Sequence, residues 1–320
     1  MGRDALSLTV SALKLGPDDA IVLPAYLCTE VLRPFVGRTR VQFYDVQADL
    51  TIDPEKVETI LKRSNAKALV MINYFGFLQP YRFSIKQICT NRGIILIEDS
   101  AHSLLTEGSG ETGDVVIYSF RKILPLPDGG GLKVNTGTIN MRPQFYPRTY
   151  SNTLSMLIMI KALLNVRADF LSRAALSSAG KSVVPEATTI PKKKRILPLS
   201  SLASNGMGNI SFSDIRENRR RDYRFWQEQV RKSKTFIPLF PDLPFDVCPL
   251  CFPVIVEERD SIKQQLQAKG IYLKVYWNLP WQIGKEFVNS HYLSSRTLAL
   301  PVYPELGPRE REEISKLLAS

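Results

Sequence analysis

Ile94-Ile95-Leu96-Ile97-Glu98-Asp99-Ser100-Ala101-His102 and Val115-Val116-Ile117-Tyr118-Ser119-Phe120-Arg121-Lys122 are the two stretches that decide the fold. Each opens on a continuous run of apolar or aromatic residues and ends in polar, ionisable ones. Such a run, without the alternation of a half-solvated strand, belongs to a strand covered on both faces. In open α/β sheets the ligand crevice lies at the carboxyl ends of those strands. A carboxylate left at the mouth of a buried strand must be paired or functional, because a lone buried charge is expensive.

Working outward, the first 135 residues alternate between two periods. Asp4 to Leu15 reads as a helix stopped by Gly16-Pro17, and Ile21 to Leu23 as a short strand ending at Pro24. Thr29 to Val36 is helical and Arg40 to Val46 extended. Asp53-Pro54 opens a helix running to about Arg63, with Pro in its first turn. Ala68 to Ile72 is a buried strand, Phe83 to Asn91 a helix, and Leu132 to Asn135 the last strand of the set. The expected class is α/β: a mainly parallel sheet between helices, with a smaller α+β domain behind it. The boundary is drawn at 1–195 and 196–320, with 140–195 an excursion around one apolar helix. In the second part, Cys248–Val256 and Ile271–Tyr276 read as strands, Asp260–Ala268 and the segment from Arg309 as helices.

The composition is globular, and Lys+Arg 42 against Asp+Glu 31 favours anionic partners. Part of the excess sits in Pro191-Lys192-Lys193-Lys194-Arg195 and Arg219-Arg220-Arg221, read as solvated runs. No nucleic-acid motif accompanies the charge, so nucleic acid is not an expected partner. Cys248-Pro249-Leu250-Cys251 has C-x-x-C spacing but no second ligand pair, so no metal is expected. The four cysteines follow no secretory signal, which points to a reducing, cytoplasmic setting. No run reaches the roughly 20 apolar residues of a membrane span. The nearest, Leu154 to Leu164, reads as a core or dimer contact.

Three features then meet at the strand ends: Asp99, Lys122, and Gly2-Arg3-Asp4 at the start of the first helix. Free N–H groups and the helix dipole at that start can hold a phosphate. An acid, a lysine and a phosphate cradle are the parts that a pyridoxal-phosphate (PLP) site requires. The lysine forms the Schiff base, and the acid keeps the pyridine nitrogen protonated so that the ring acts as an electron sink. Each residue has a plainer reading too: Asp99 as a cap, Ser119 and Lys122 as loop residues, His102 as a structural histidine.

Spacing and order favour the first reading, for here the chain resembles the DegT-like sugar aminotransferases, which are PLP enzymes of fold type I. Gly2-Arg3-Asp4-Ala5-Leu6 resembles their S-G-T/R-x-A-L phosphate turn, and Leu23-Pro24-Ala25-Tyr26 their L/V-P-A-Y strand end. Asn73-Tyr74-Phe75-Gly76 resembles V-H-x-x-G, and Glu98 to His102 resembles E-D-x-A-Q/H. Gly113 to Lys122 is similar to G-D-x-x-x-x-S-F-x-x-x-K, with Ser119 nearer the lysine than usual. Pro127-Asp128-Gly129-Gly130 stands where many members have G-E-G-G, and Leu298 to Pro301 resembles the closing L-P motif.

The resemblance implies a seven-stranded-type sheet, Lys122 as the Schiff-base lysine and Asp99 as the pyridine partner. It implies His102 beside the phenolic oxygen of the cofactor, with Ser119 and the Gly2–Arg3 amides on its phosphate. It further implies a homodimeric transaminase moving an amino group from a donor, glutamate by expectation, to a nucleotide-linked keto-sugar. Three departures stand out. The chain starts inside the phosphate turn, so an upstream arm is expected. Cys28 occupies the position of an aromatic that normally stacks on the ring, which leaves Tyr26 or another residue to cover that face. The partner residue of the phosphate site is not identifiable. A non-catalytic or cofactor-impaired protein on this scaffold, and another PLP reaction such as sugar dehydration, stay open. Dehydratase relatives carry histidine where Lys122 stands.

Overall fold

The computed structural model describes residues 2–137, 139, 144–168, 195–231 and 233–319. A six-stranded sheet forms the centre of the first half. Its strands are β1 (Ala20–Pro24), β2 (Arg40–Tyr44), β3 (Ala66–Ile72), β4 (Ile95–Asp99), β5 (Val115–Tyr118) and β6 (Gly131–Val134), in the order β2-β1-β3-β4-β5-β6. All neighbours run parallel except β5 and β6. The sheet therefore has six strands among the described residues where the resemblance implied a seven-stranded type. Ile21 to Leu23, Ala68 to Met71, and Leu96 and Ile97 are fully buried, as strands covered on both faces must be.

Helices α1 (Gly2–Ala12), α2 (Thr29–Leu32), α3 (Pro54–Arg63) and α4 (Arg82–Asn91) alternate with these strands. Local chemistry sets their ends. Asp53 accepts hydrogen bonds from the amides of Glu55 and Lys56, and Pro54 takes the first helical position, where its missing N–H costs nothing. Only Thr29–Leu32 of the segment read as a longer helix winds into one, before a series of turns. The one-turn helix α5 (Phe120–Ile123) directly follows β5.

After β7 (Gln144–Phe145) comes α6 (Arg148–Ala168), which contains the apolar run Leu154–Leu164. Met156, Leu157 and Ile158 on it are exposed, while Ser155 is buried and bonded to Asp128. The basic residues Lys192 to Lys194 lie outside the described residues. No described helix is long and apolar enough to cross a membrane.

Beyond β8 (Arg195–Ile196) and α7 (Ser201–Met207), the long helix α8 (Phe212–Val230) leads to a three-stranded antiparallel sheet, β11-β10-β9. Its strands are β9 (Ile237–Pro238), β10 (Phe252–Ile255) and β11 (Thr297–Leu300), with α9 (Arg259–Ala268), α10 (Val288–Arg296) and α11 (Pro308–Ala319) around them. Two expectations fail in this part. Residues 248–251 precede the strand rather than belong to it, and Ile271–Tyr276 contributes only an isolated bridge between Lys274 and Ala299. Pro249 has no amide hydrogen to give a ladder, and the amides of Cys248 and Leu250 bond to Thr106 and Phe75 instead.

Candidate active site

Register and alternation place the two acids of β4. Glu98 pairs with Met71 and Val116, and Asp99 with Ile72 and Ile117, so the two side chains leave opposite faces of the strand. Glu98 is fully buried and saturated. One oxygen accepts from Asn73 Nδ2 (2.9 Å), Ser100 Oγ (2.9 Å) and the Gly110 amide (2.8 Å). The other accepts from the amides of Thr112 (3.2 Å) and Gly113 (2.9 Å). Asp99 is half-buried and, among the described residues, its side chain accepts a single bond, from the Ala101 amide (2.9 Å). Burial raises its pKa, and the nearby Lys122 ammonium opposes the rise.

Lys122 lies on the single turn of α5, whose first residue follows Ser119. The turn is pinned by Phe120 N–H to the Gly129 carbonyl (3.3 Å) and Leu124 N–H to the Phe120 carbonyl (2.7 Å). Gly129 has φ +113, and a Cβ there would stand 2.8 Å from Phe120 Cδ2; only glycine lets that turn close on the ring. The Lys122 side chain is half-buried and its ammonium bonds to no described residue. Burial lowers its pKa, partly offset by the Asp99 carboxylate. A lowered pKa leaves more neutral, nucleophilic amine at neutral pH.

His102 is buried between the rings of Phe75 (5.8 Å) and Trp277 (5.4 Å), with Tyr276 edge-on at 5.4 Å. Burial, with a smaller push from Lys122, holds its pKa well below the usual histidine value. The Phe75 amide donates to Nδ1 at 3.3 Å. A neutral ring whose Nδ1 accepts must carry its proton on Nε2. That Nε2–H is buried and has no partner among the described residues.

The amino end of α1 reaches the same place. A Cβ on Gly2 would lie 3.4 Å from Ser119 Cβ and from the Tyr118 carbonyl oxygen. The structure therefore brings Gly2 and Ser119 together at the end of β5. Ser119 is buried and its hydroxyl makes no capping bond. Arg3 is tied to Glu30 by an ion pair of 2.9 Å, so the first-turn amides, rather than its guanidinium, face the anion role.

These residues fit PLP. An acceptor (Asp99), an unbonded amine (Lys122), an unpartnered buried N–H (His102) and a helix start beside a hydroxyl (Gly2, Ser119) are the donor set the group needs. The two residues expected at the ring face have the following settings. Cys28 accepts from the Glu30 amide as the cap of α2, and Tyr26 is fully buried against Tyr74 (5.6 Å) and Trp277 (5.4 Å). Sequence reading contained Phe75 in a motif without giving it a role, and missed Tyr276 and Trp277; for those two the aromatic density of Tyr272 to Trp281 was the available signal. It also read Arg219 as solvated, whereas Arg219 is 3% exposed. Cys248 and Cys251 are buried and free, and no His/Cys/Asp/Glu cluster among the described residues could hold a metal.

Residues 1–142 match the profile of the DegT/DnrJ/EryC1/StrS aminotransferase family. A pleiotropic regulatory protein of Geobacillus stearothermophilus is 20% identical over 99% of this chain and 82% of its own length. The dTDP-3-amino-3,6-dideoxy-alpha-D-galactopyranose transaminase of Aneurinibacillus thermoaerophilus is 24% identical over 98% of this chain and 82% of its own. Among solved structures, NtdA of Bacillus subtilis with bound PMP cofactor superposes with a TM-score of 0.67 at 17% identity. It covers 99% of this chain and 71% of that one.

Proposed function

We propose that this chain, which over residues 1–142 belongs to the DegT/DnrJ/EryC1/StrS aminotransferase family, is a PLP-dependent aminotransferase acting on a nucleotide-linked keto-sugar. One observation carries the reading: Lys122, whose ammonium bonds to no described residue, stands on the turn that directly follows β5, and Asp99 ends the neighbouring strand β4 in register with Ile117. The Aneurinibacillus relative is named as a transaminase of a dTDP-linked amino sugar, and the net charge of +11 suits an anionic acceptor.

Bound PLP supplies the electron sink for amino transfer. Asp99 would hold the proton on the pyridine nitrogen, and His102 Nε2–H would donate to the ring oxygen. Ser119 and the α1 amides would hold the phosphate. Lys122 would anchor the group and, when not engaged as that anchor, would serve as the base that holds and moves the transferred proton. The domain division at 195/196 is supported by the confinement of the six-stranded sheet to residues 20–134 and the three-stranded one to 237–300. Four free cysteines support a cytoplasmic setting, and the exposed Met156, Leu157 and Ile158 support a homodimer contact on α6.

The test is reduction with borohydride after incubation with PLP, followed by peptide mapping. The label should sit on Lys122, and the protein should aminate keto-sugar nucleotides at the expense of an amino donor. An unlabelled chain, or a label on another lysine, overturns the assignment.

A further inference from the structure

Arg219 is a buried cation with no carboxylate partner among the described residues. Its Nη1 donates to the carbonyls of Pro249 (3.2 Å) and Leu250 (3.0 Å), and its Nη2 to those of Lys122 (3.4 Å) and Ile123 (3.3 Å). One side chain from α8 therefore joins the lysine turn to the strap at 248–250. Burial lowers the pKa of Arg219. A buried charge held only by carbonyls is costly, and four carbonyls from two distant segments make an unusual set of partners for a residue that merely fills space.

The strap continues to the other wall of the site. The Leu250 amide donates to the Phe75 carbonyl (2.8 Å), while the Phe75 amide donates to His102 Nδ1. Cys248 N–H donates to Thr106 Oγ1 (3.0 Å), which donates on to the Gly76 carbonyl (2.6 Å). Phe75 stands at φ 56, a left-handed conformation that a bulky residue holds only under constraint. Gly76 has φ +104, and a Cβ there would lie 2.4 Å from the Cys248 carbonyl oxygen. The strap is thus pressed onto the 75–76 turn as closely as backbone can approach.

We propose that Arg219 is a positioning residue: through the 248–250 strap it fixes the Lys122 turn relative to Phe75 and His102. The inference rests on the reading of Lys122 and His102 as cofactor-facing residues, but its test needs no cofactor. Arg220 is the internal control. It staples the same region, donating to the carbonyls of Pro244 and Val247 (2.6 Å each), without touching the lysine turn.

The experiment is amide hydrogen exchange by mass spectrometry on cofactor-free, full-length Arg219→Met, Arg219→Lys and Arg220→Met, together with the rate at which acetic anhydride acetylates Lys122. Arg219→Met should accelerate exchange in both the 119–124 and 73–77 segments and raise Lys122 acetylation, each by roughly tenfold or more, the scale of a lost buried charge-assisted contact. Arg219→Lys should give a smaller change of the same pattern, and Arg220→Met should leave both segments and Lys122 at parental rates. Parental rates in both Arg219 variants, a response confined to 119–124, or an equal response in Arg220→Met would overturn the proposal. If Arg219→Met does not fold, Arg219→Lys carries the test. Borohydride mapping of the parent chain with PLP is run in parallel. Its failure would remove the proposed function while leaving the exchange result to stand.

Discussion

Glu98 and Asp99 are neighbours on one strand, both acids, and the molecule treats them oppositely. Glu98 is sealed into a shell of five donors that stitches Asn73, Ser100 and the 110–113 loop to β4. Asp99 keeps one bond and the electrostatic company of Lys122. A saturated buried carboxylate holds the fold; an under-bonded one at a strand end is free to hold something else. Hydrogen-bond saturation distinguishes the two acids where residue type and position do not.

Lys122→Ala gives the largest expected effect, on the functional side of the comparison. Amino-transfer activity should fall by roughly four orders of magnitude or more, as when a covalent anchor and proton carrier is removed. Circular dichroism should stay parental, since the ammonium bonds to no described residue. Retained activity in a rate assay would break the assignment.

Second comes the sealed acid. Glu98→Gln keeps the shape but turns one acceptor into a donor facing the Thr112 and Gly113 amides or the Asn73 and Gly110 donors. Donors left unsatisfied in the interior cost about 1–3 kcal/mol each, so a loss of about 3 kcal/mol is expected in urea unfolding. A loss below about 1 kcal/mol would mean that the shell is not what holds the 110–113 loop.

Third, Asp99→Asn makes the same chemical change one residue away and should act on rate instead. The turnover rate should drop roughly a hundredfold, the scale of losing one preorganised electrostatic partner. PLP should still attach to Lys122. Parental turnover would make Asp99 a simple cap of the following turn.

Much of this contrast was legible in the sequence, and its limits have physical causes. The apolar runs before Glu98 and Ser119 located β4 and β5, because burial on both faces leaves its mark in every residue of a strand. Asp99, Lys122, Gly2 and Ser119 could be singled out as candidates because they sit at fixed offsets from those runs or at a helix start. Glu98 could not be told from Asp99, since its five donors come from residues 73 to 113 and only folding collects them. The 248–251 strap looked like strand because its residues are apolar, while its bonds run to side chains and turns rather than a ladder. Arg219 hid in a charge run: on a helix, adjacent arginines point in different directions, and only Arg219 of the three is buried, with Arg221 left exposed.

The smallest expected effect is also the sharpest comparison of the two acids, because its sign reverses between them. Burial raises the Asp99 pKa in the folded chain even with the attraction of Lys122 counted. A carboxyl whose folded pKa is raised contributes stability below its unfolded pKa, about 3.9, and loses that contribution as the pH rises through the folded value. At neutral pH, ionised Asp99 therefore works against the fold. Asparagine cannot ionise, and its side-chain oxygen can still accept from the Ala101 amide. Cofactor-free Asp99→Asn should thus be more stable than the parent at pH 7, by about 1 kcal/mol, within the range typical of relieving a functional site. The gain should shrink as the pH falls and vanish below about pH 4, where both chains carry a neutral group. Urea midpoints of the two cofactor-free proteins across pH 4 to 8 measure it. A destabilised Asp99→Asn at pH 7 would show that the Asp99 charge is held as firmly as that of Glu98, and would collapse the distinction between the two acids.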